Sequence, residues 1–201
     1  MRWLTASARR SPRDAAVCAA GLALAGVATA LADWHGPAER ALFRAVNDHE
    51  DDPRALRLVQ QMGTPWVLPT LALAAAVAGR PRLAVAAGLA LPVEKVLEVG
   101  TKKARPTPRP LYVRPTVLRD DAPVEGESFP SGHAAIAFAA VGLVAPHLPQ
   151  ALRAPVWALA GGTAAARVSQ GAHHPVDVVG GSAMGVAIAA GLHYLVGRDA
   201  Q

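Results

Sequence analysis

The chain has 201 residues, of which 52% are hydrophobic, 4% aromatic and 17% charged, with 20 Lys and Arg against 15 Asp and Glu for a formal net charge of +5. That length accommodates one domain, and the low charge excludes intrinsic disorder and argues against a nucleic-acid-binding module in spite of the basic balance. The single cysteine, Cys18, rules out an intramolecular disulfide and any cysteine-based metal site.

The charges are unevenly placed. Residues 15–32, 58–79, 83–93, 134–152, 154–166 and 178–197 carry no Asp, Glu, Lys or Arg, and several of these windows approach the roughly 20 residues that a bilayer-spanning helix needs. The chain therefore reads as an all-α polytopic membrane protein. In chain order, six transmembrane helices are predicted near 15–32, 65–79, 82–101, 132–148, 153–168 and 177–197, all rich in Ala, Gly, Val and Leu. Residues 1–14 form a basic tail and 15–197 a single transmembrane domain with its chemistry between 95 and 180.

Arg9, Arg10 and Arg13 ahead of an apolar run ending Ala30-Leu31-Ala32 share features with a signal peptide. The uncharged run exceeds the roughly 7 to 15 residues of a signal core, so a retained first helix is expected. Four Arg and one Asp in 1–14, against four Arg and six acids in 33–57, argue for a cytoplasmic amino terminus. The total over all loops, eleven basic residues outside and eight inside, runs the other way. Within 33–57, Ala41, Leu42, Ala45 and Val46 recur at helical spacing, which predicts a short amphipathic helix at the membrane surface between the first two spans. His35 and His49 in the same segment read as solvated loop residues without chemistry.

Chemistry concentrates in three clusters. Lys102 to Pro110 holds three prolines within five residues, which forbid a regular helix and keep Lys102, Lys103, Arg105 and Arg109 on an extended arm. Such an arm also suits simple attraction to anionic headgroups. The second cluster, Ser128-Phe129-Pro130-Ser131-Gly132-His133, ends at an uncharged helix; Ser131 is a candidate N-cap, and the free amides beyond it make an anion site. The third is Arg167, His173 and Asp177. Arg167 lies 14 residues beyond Arg153, about 21 Å of helix, which places a costly cation below the headgroups unless it meets an anion. His173 and Asp177, four apart, can share a helix face, and a carboxylate on one imidazole nitrogen leaves the other basic and nucleophilic. The 40 residues from His133 to His173 suffice for one span down, a turn at Pro146–Pro155 and one span back. Both histidines then emerge at the same membrane face, beside the arm that carries Lys102 and Arg109.

These motifs resemble the type 2 phosphatidic acid phosphatase superfamily, whose signature is K-x6-RP, PSGH and SR-x5-H-x3-D. Lys102 to Arg109-Pro110 matches the first part, Pro130-Ser131-Gly132-His133 the second, and Arg167, His173 and Asp177 the third, the likeness covering residues 82–197. The resemblance implies that His173 is a nucleophile oriented by Asp177, that His133 is the general acid and base, and that Lys102, Arg109, Arg167, Ser131 and Gly132 bind phosphate. It implies a lipid phosphate as substrate and the bilayer as environment, with no cofactor, no metal and no nucleic-acid partner. With the amino terminus in the cytoplasm, as the loop charges argue, the site is expected on the extracytoplasmic side of a bacterial inner membrane. Ala166 stands where the family has serine, Ser169 and Gln170 are unusually polar, and His174 adjoins the nucleophile out of register. Glu94 and Glu98 either orient Lys102 or mark a solvated helix end, and Lys103, Arg105 and Arg114 read as headgroup contacts. Two alternatives stand beside this: a vanadate-dependent haloperoxidase built on the same residues, and a membrane protein that binds anionic lipid through the Lys102 to Arg119 segment without hydrolysing it. Polyprenyl diphosphate, phosphatidic acid and phosphatidylglycerol phosphate all suit the motifs.

Overall fold

Proline marks where helices start. The computed structural model describes residues 11–49, 53–119 and 122–199. Within them lie α1 (Pro12–Ala30), α2 (Pro37–Asn47), α3 (Pro53–Gln60), α4 (Val67–Val77), α5 (Pro81–Ala104), α6 (Pro110–Val113), α7 (Gly132–Val144), α8 (Gln150–Ser169) and α9 (Pro175–Val196), and no strand. Six of these nine begin with proline, whose missing N–H is no loss in the first turn and whose fixed φ suits a helix. Short 3-10 turns follow α3 at Gln61–Gly63 and α7 at Ala145–His147.

The bundle is organised around α9, which packs against α1, α7, α5, α8 and α2. Small residues make the close approach possible. A Cβ on Gly181 would stand 2.3 Å from the Ser131 carbonyl oxygen, and one on Gly185 2.3 Å from that of Ala135. The main core joins Leu68, Leu83, Ile136, Leu143, Met184 and Ile188 with alanines of α4, α5, α7 and α9.

On α1 only Asp14, Gly21 and Ala28 are buried, a stripe of period seven laid on α9, while Leu22, Leu24, Val27 and Leu31 are exposed. A helix apolar all round with one narrow packed stripe suits lipid rather than water on its other faces. By length and composition α1 and α9 are the two helices able to cross a membrane. The other expected spans have counterparts with distinct departures. α4 has 11 residues and α7 has 13, so each is shorter than a full bilayer crossing. α5 and α8 have 24 and 20 residues but carry Glu94, Lys95 and Glu98, and Arg153 and Arg167.

Segment 33–57 departs from the single surface helix expected of it. It forms α2 and, beyond residues 50–52, which lie outside the described residues, the start of α3. The docked face of α2 is Glu39, Phe43 and Asn47, whereas Leu42 is exposed. Polar partners decide this orientation: Glu39 takes both Nη atoms of Arg114 at 2.7 and 3.1 Å, and Asn47 exchanges hydrogen bonds with the backbone of Val117. The basic residues 1–10 of the expected tail lie outside the described residues.

Candidate active site

The loop from Arg105 to Ser131 runs across one end of the bundle, where α5 ends and α7 and α9 begin. It is pinned at several points. Arg109 donates from Nε to the Glu125 carbonyl at 2.8 Å and from Nη1 to the Ala172 carbonyl at 2.9 Å. Arg119 donates to the carbonyls of Asn47, His49 and Ser169, and Thr107 Oγ1 accepts from the Phe129 amide at 2.8 Å. The prolines that forbid a helix here thus present a loop that backbone carbonyls and buried side chains can fix.

Under this loop lies a cavity of about 190 Å³ bordered by Lys95, Glu98, Lys102, Arg109, Gly132, His133, Arg167 and His173, with Gly63 and Pro65 at its side. Of the residues singled out from sequence, Lys102, Arg109, Gly132, His133, Arg167 and His173 therefore meet around one space. Ser131 and Asp177 do not border it. Both are fully buried, and each positions a neighbour.

Ser131 caps α7, its Oγ accepting from the Ala134 amide at 3.5 Å while its own amide donates to the Asp177 carbonyl at 3.1 Å. This holds the first turn of α7, with its unpaired amides and positive dipole end, toward the cavity. Asp177 Oδ2 accepts from Ser128 Oγ at 2.5 Å and from the His174 amide at 2.7 Å, and stands 3.5 Å from His173 Nδ1. With Nδ1 on the carboxylate side, Nε2 is the ring nitrogen left for chemistry. Burial, reinforced by Arg167, Arg109 and Lys102, holds the His173 imidazole well below the ordinary histidine range, so it is a neutral base.

Arg167 is 4% exposed. Its Nη1 donates to Gln60 Oε1 at 2.9 Å and to Gln170 Oε1 at 2.7 Å, and Gln170 Nε2 donates in turn to Gln60 Oε1 at 2.9 Å. Two neutral amides thus aim the guanidinium without neutralising it. On α5, Glu98 accepts from Lys102 at 2.8 Å and from Lys95 at 2.6 Å. The pairing of Glu98 with Lys102 at one-turn spacing orients that lysine at the cavity.

Several contacts differ from expectation or were not legible. His35 is not a solvated loop residue: its ring stacks on His174 with centroids 4.6 Å apart, and its Nδ1 lies 3.9 Å from Glu39. Arg114 is not a headgroup contact either, because its guanidinium pairs with Glu39 and covers the Phe43 ring at 4.8 Å. His174 is buried away from the cavity, with Nε2 3.2 Å from the Pro108 carbonyl. Gln60 and Ser128 were missed as positioning residues. Ser128 borders a motif, but nothing in the local pattern around Gln60 points to Arg167, 107 positions away.

Two histidines, a buried carboxylate and fixed cations thus gather at one end of an apolar helical bundle. Residues 62–200 match the model of the PAP2 superfamily, and the chain belongs to that superfamily, which makes it a phosphatase by family. Its fold is similar to the crystal structure of Aquifex aeolicus LpxE, with 24% identity and a TM-score of 0.70 over 80% of this chain and 96% of that one. It is also similar to that of the first transmembrane PAP2-type phosphatidylglycerolphosphate phosphatase from Bacillus subtilis, with 19% identity and a TM-score of 0.59 over 89% of this chain and 93% of that one. No curated protein matches the chain by sequence.

Proposed function

We propose that the protein hydrolyses the phosphate headgroup of a membrane lipid through a phosphohistidine on His173, without a metal. One observation carries the reading: Lys102, Arg109, Arg167, His133 and His173, from widely separated segments, border the same cavity of about 190 Å³. Lys102, Arg109 and Arg167 hold the non-bridging oxygens, with the Gly132 amide at the start of α7 as a further donor. Fixed cations stabilise charge that develops in the transition state, the role Mg²⁺ takes in many phosphoryl-transfer enzymes.

The neutral His173 imidazole attacks phosphorus, and the bond to the leaving oxygen breaks. His133, as imidazolium, donates its proton to that oxygen. Water then attacks the phosphohistidine while His133 takes its proton, which releases inorganic phosphate and restores both rings. Asp177 orients His173 throughout, and Ser131 keeps the first turn of α7 in place.

In this reading the six helices α1, α4, α5, α7, α8 and α9 are embedded in the bilayer, and residues 15–197 form the single functional unit. The site opens at headgroup level on the extracytoplasmic face. A lipid phosphate then reaches the cavity without leaving the membrane, as phosphatidylglycerol phosphate, phosphatidic acid or a polyprenyl diphosphate would.

The test is phosphate release from a panel of lipid phosphates in detergent. His173→Ala and His133→Ala should each lower turnover by at least ~100-fold. Activity should persist in EDTA and fall with vanadate. A purified His173→Ala protein that releases phosphate at the wild-type rate overturns the assignment.

A further inference from the structure

A second cavity lies at the far end of the bundle from the catalytic one. It holds about 290 Å³ where α1 and α8 begin and α7 and α9 end, and Arg13, Asp14, Arg153, Trp157, His193 and Arg198 border it. The 22 residues of α9 separate the two cavities, about 33 Å of helix. With α9 crossing the bilayer, a ligand here belongs to the opposite leaflet from the substrate. We propose that this cavity, together with an apolar groove continuous with it, binds an anionic phospholipid that is not a substrate.

Charge selects the headgroup. Among the described residues at the cavity, Asp14 is the single carboxylate, and it pairs with Arg198. Arg153 is held by neutral groups, donating from Nε to the Leu148 carbonyl at 3.1 Å and from Nη2 to that of Pro146 at 3.4 Å. The charges of Arg13 and Arg153 are therefore uncompensated at the cavity. Phosphate is the matching anion in a membrane, and basic pockets between spanning helices bind such headgroups. His193 is 3% exposed, and its Nε2 has no hydrogen-bond partner among the described residues; a headgroup oxygen or hydroxyl supplies one. A choline or ethanolamine group would add a cation beside three arginines, so a headgroup without one is preferred. Trp157 in the wall suits the headgroup level, where indole rings collect.

Shape selects a lipid over a soluble phosphate. Val17 and Val186 border this cavity and also a groove of about 510 Å³ that runs along α1 and α9 past Gly21, Ala183 and Val178. α1 packs on α9, while Phe138 of α7 and Ala164 of α8 form the opposite wall, and Ser182 alone among the described lining residues is polar. From Val178 to His193 is 15 residues, about 22 Å of helix. One leaflet with its headgroups is roughly 20–22 Å deep, so the groove and the basic cavity together match one phospholipid. Its acyl chain fills the space between α1 and α8, and its binding stabilises the folded bundle by mass action.

This inference shares with the phosphatase reading only the placement in a bilayer, and its test involves no turnover. Delipidated protein in detergent is titrated with phosphatidylglycerol, phosphatidylcholine or soluble glycerol phosphate while Tm is followed. Phosphatidylglycerol should raise Tm by ~5 °C or more and saturate, whereas the other two should not. The double variant Arg13→Gln/Arg153→Gln should raise the half-saturating concentration ~10-fold or more. Ala20→Trp, at an exposed position in the groove, should do the same with every charge intact, and either variant suffices if the other fails to fold. His173→Ala should titrate as wild type does, even where it abolishes hydrolysis. An equal rise with phosphatidylcholine means general solvation by lipid, a rise with glycerol phosphate means a soluble ligand, and a loss of the rise in His173→Ala means that the lipid sits in the catalytic cavity. Each of these overturns the proposal, as does an unchanged titration in the arginine or groove variant.

Discussion

The carboxylate of Asp177 stands 3.5 Å from Nδ1 of His173, one turn along the chain, and the same oxygen accepts a 2.5 Å hydrogen bond from Ser128. Ser128 thereby fixes the carboxylate that faces His173, the nucleophile of the proposed mechanism. Asp177→Asn should lower kcat by at least ~100-fold, because an amide neither selects the tautomer nor stabilises a charged ring as a carboxylate does. Ser128→Ala should have a smaller effect, about 10-fold, since it loosens the carboxylate without removing it. Single-turnover kinetics with a soluble phosphate ester checks both, and wild-type kcat in Asp177→Asn would remove the residue from the mechanism.

Arg167 is aimed by amides rather than by carboxylates, through Gln60 on α3 and Gln170 beyond α8. A carboxylate in either position would compete with phosphate for the guanidinium. Gln170→Glu should therefore raise KM ~10-fold or more by placing an anion where substrate charge is needed. Arg167→Lys should also fail to substitute, because a point charge lacks the fork that spans the two glutamine oxygens and a ligand. Steady-state KM for both variants tests this, and an unchanged KM in Gln170→Glu would show that Arg167 does not bind the substrate.

The parts of this site that follow chain-local rules were legible in the sequence. Prolines stop α5 and keep Arg105 and Arg109 on the loop, whereas Lys102 and Lys103, expected on the same extended arm, lie in the last turn of α5 because the first of these prolines comes only at 106; serine precedes α7, and the spacing from Arg167 to Asp177 spans one helix end and the next helix start. The 40 residues between His133 and His173 fixed their return to one end of the bundle. Helix existence was legible for the same reason, since uncharged apolar runs have few alternatives in a membrane. What could not be read were contacts made by polar side chains across long separations. Glu39 with Arg114, Asn47 with Val117 and Gln60 with Arg167 are 75, 70 and 107 residues apart. No periodicity encodes them. The amphipathic pattern of α2 pointed to its apolar residues, but the loop above the site recruited Glu39 and Asn47 because their groups had buried partners to satisfy.

Gly63 borders the cavity at a close approach of the 3-10 turn to α7. A Cβ there would stand 2.6 Å from the His133 carbonyl oxygen and 2.7 Å from the His133 Cβ. Both are too near, and one belongs to backbone that cannot swing aside. Gly63→Ala should therefore displace His133 and lower kcat by ~10-fold or more, since small misplacements of an acid–base group have large effects on rate. Far-UV circular dichroism should show unchanged helicity. Wild-type kcat in this variant would mean that the turn yields freely and does not set the position of His133.

Acid should destabilise the fold through His174, which is 1% exposed. Burial, with Arg114 and His35 adding to it and Asp177 opposing, pushes the imidazole down from 6.5 to about 4. Glu39 and the Pro108 carbonyl complete its surroundings. The unfolded chain takes up this proton near 6.5 and the folded chain only near 4, so between those values the unfolded state binds more protons. Stability from this group is thus full above about pH 6.5 and is lost progressively as pH falls toward 4, by on the order of 3 kcal/mol. The buried, neutral His173 acts in the same direction. Thermal unfolding in detergent at pH 7.5, 6 and 5 should show Tm falling with pH, and His174→Gln should flatten that dependence while lowering Tm at pH 7.5. Identical slopes in the two proteins would mean that His174 is not the group through which acid acts.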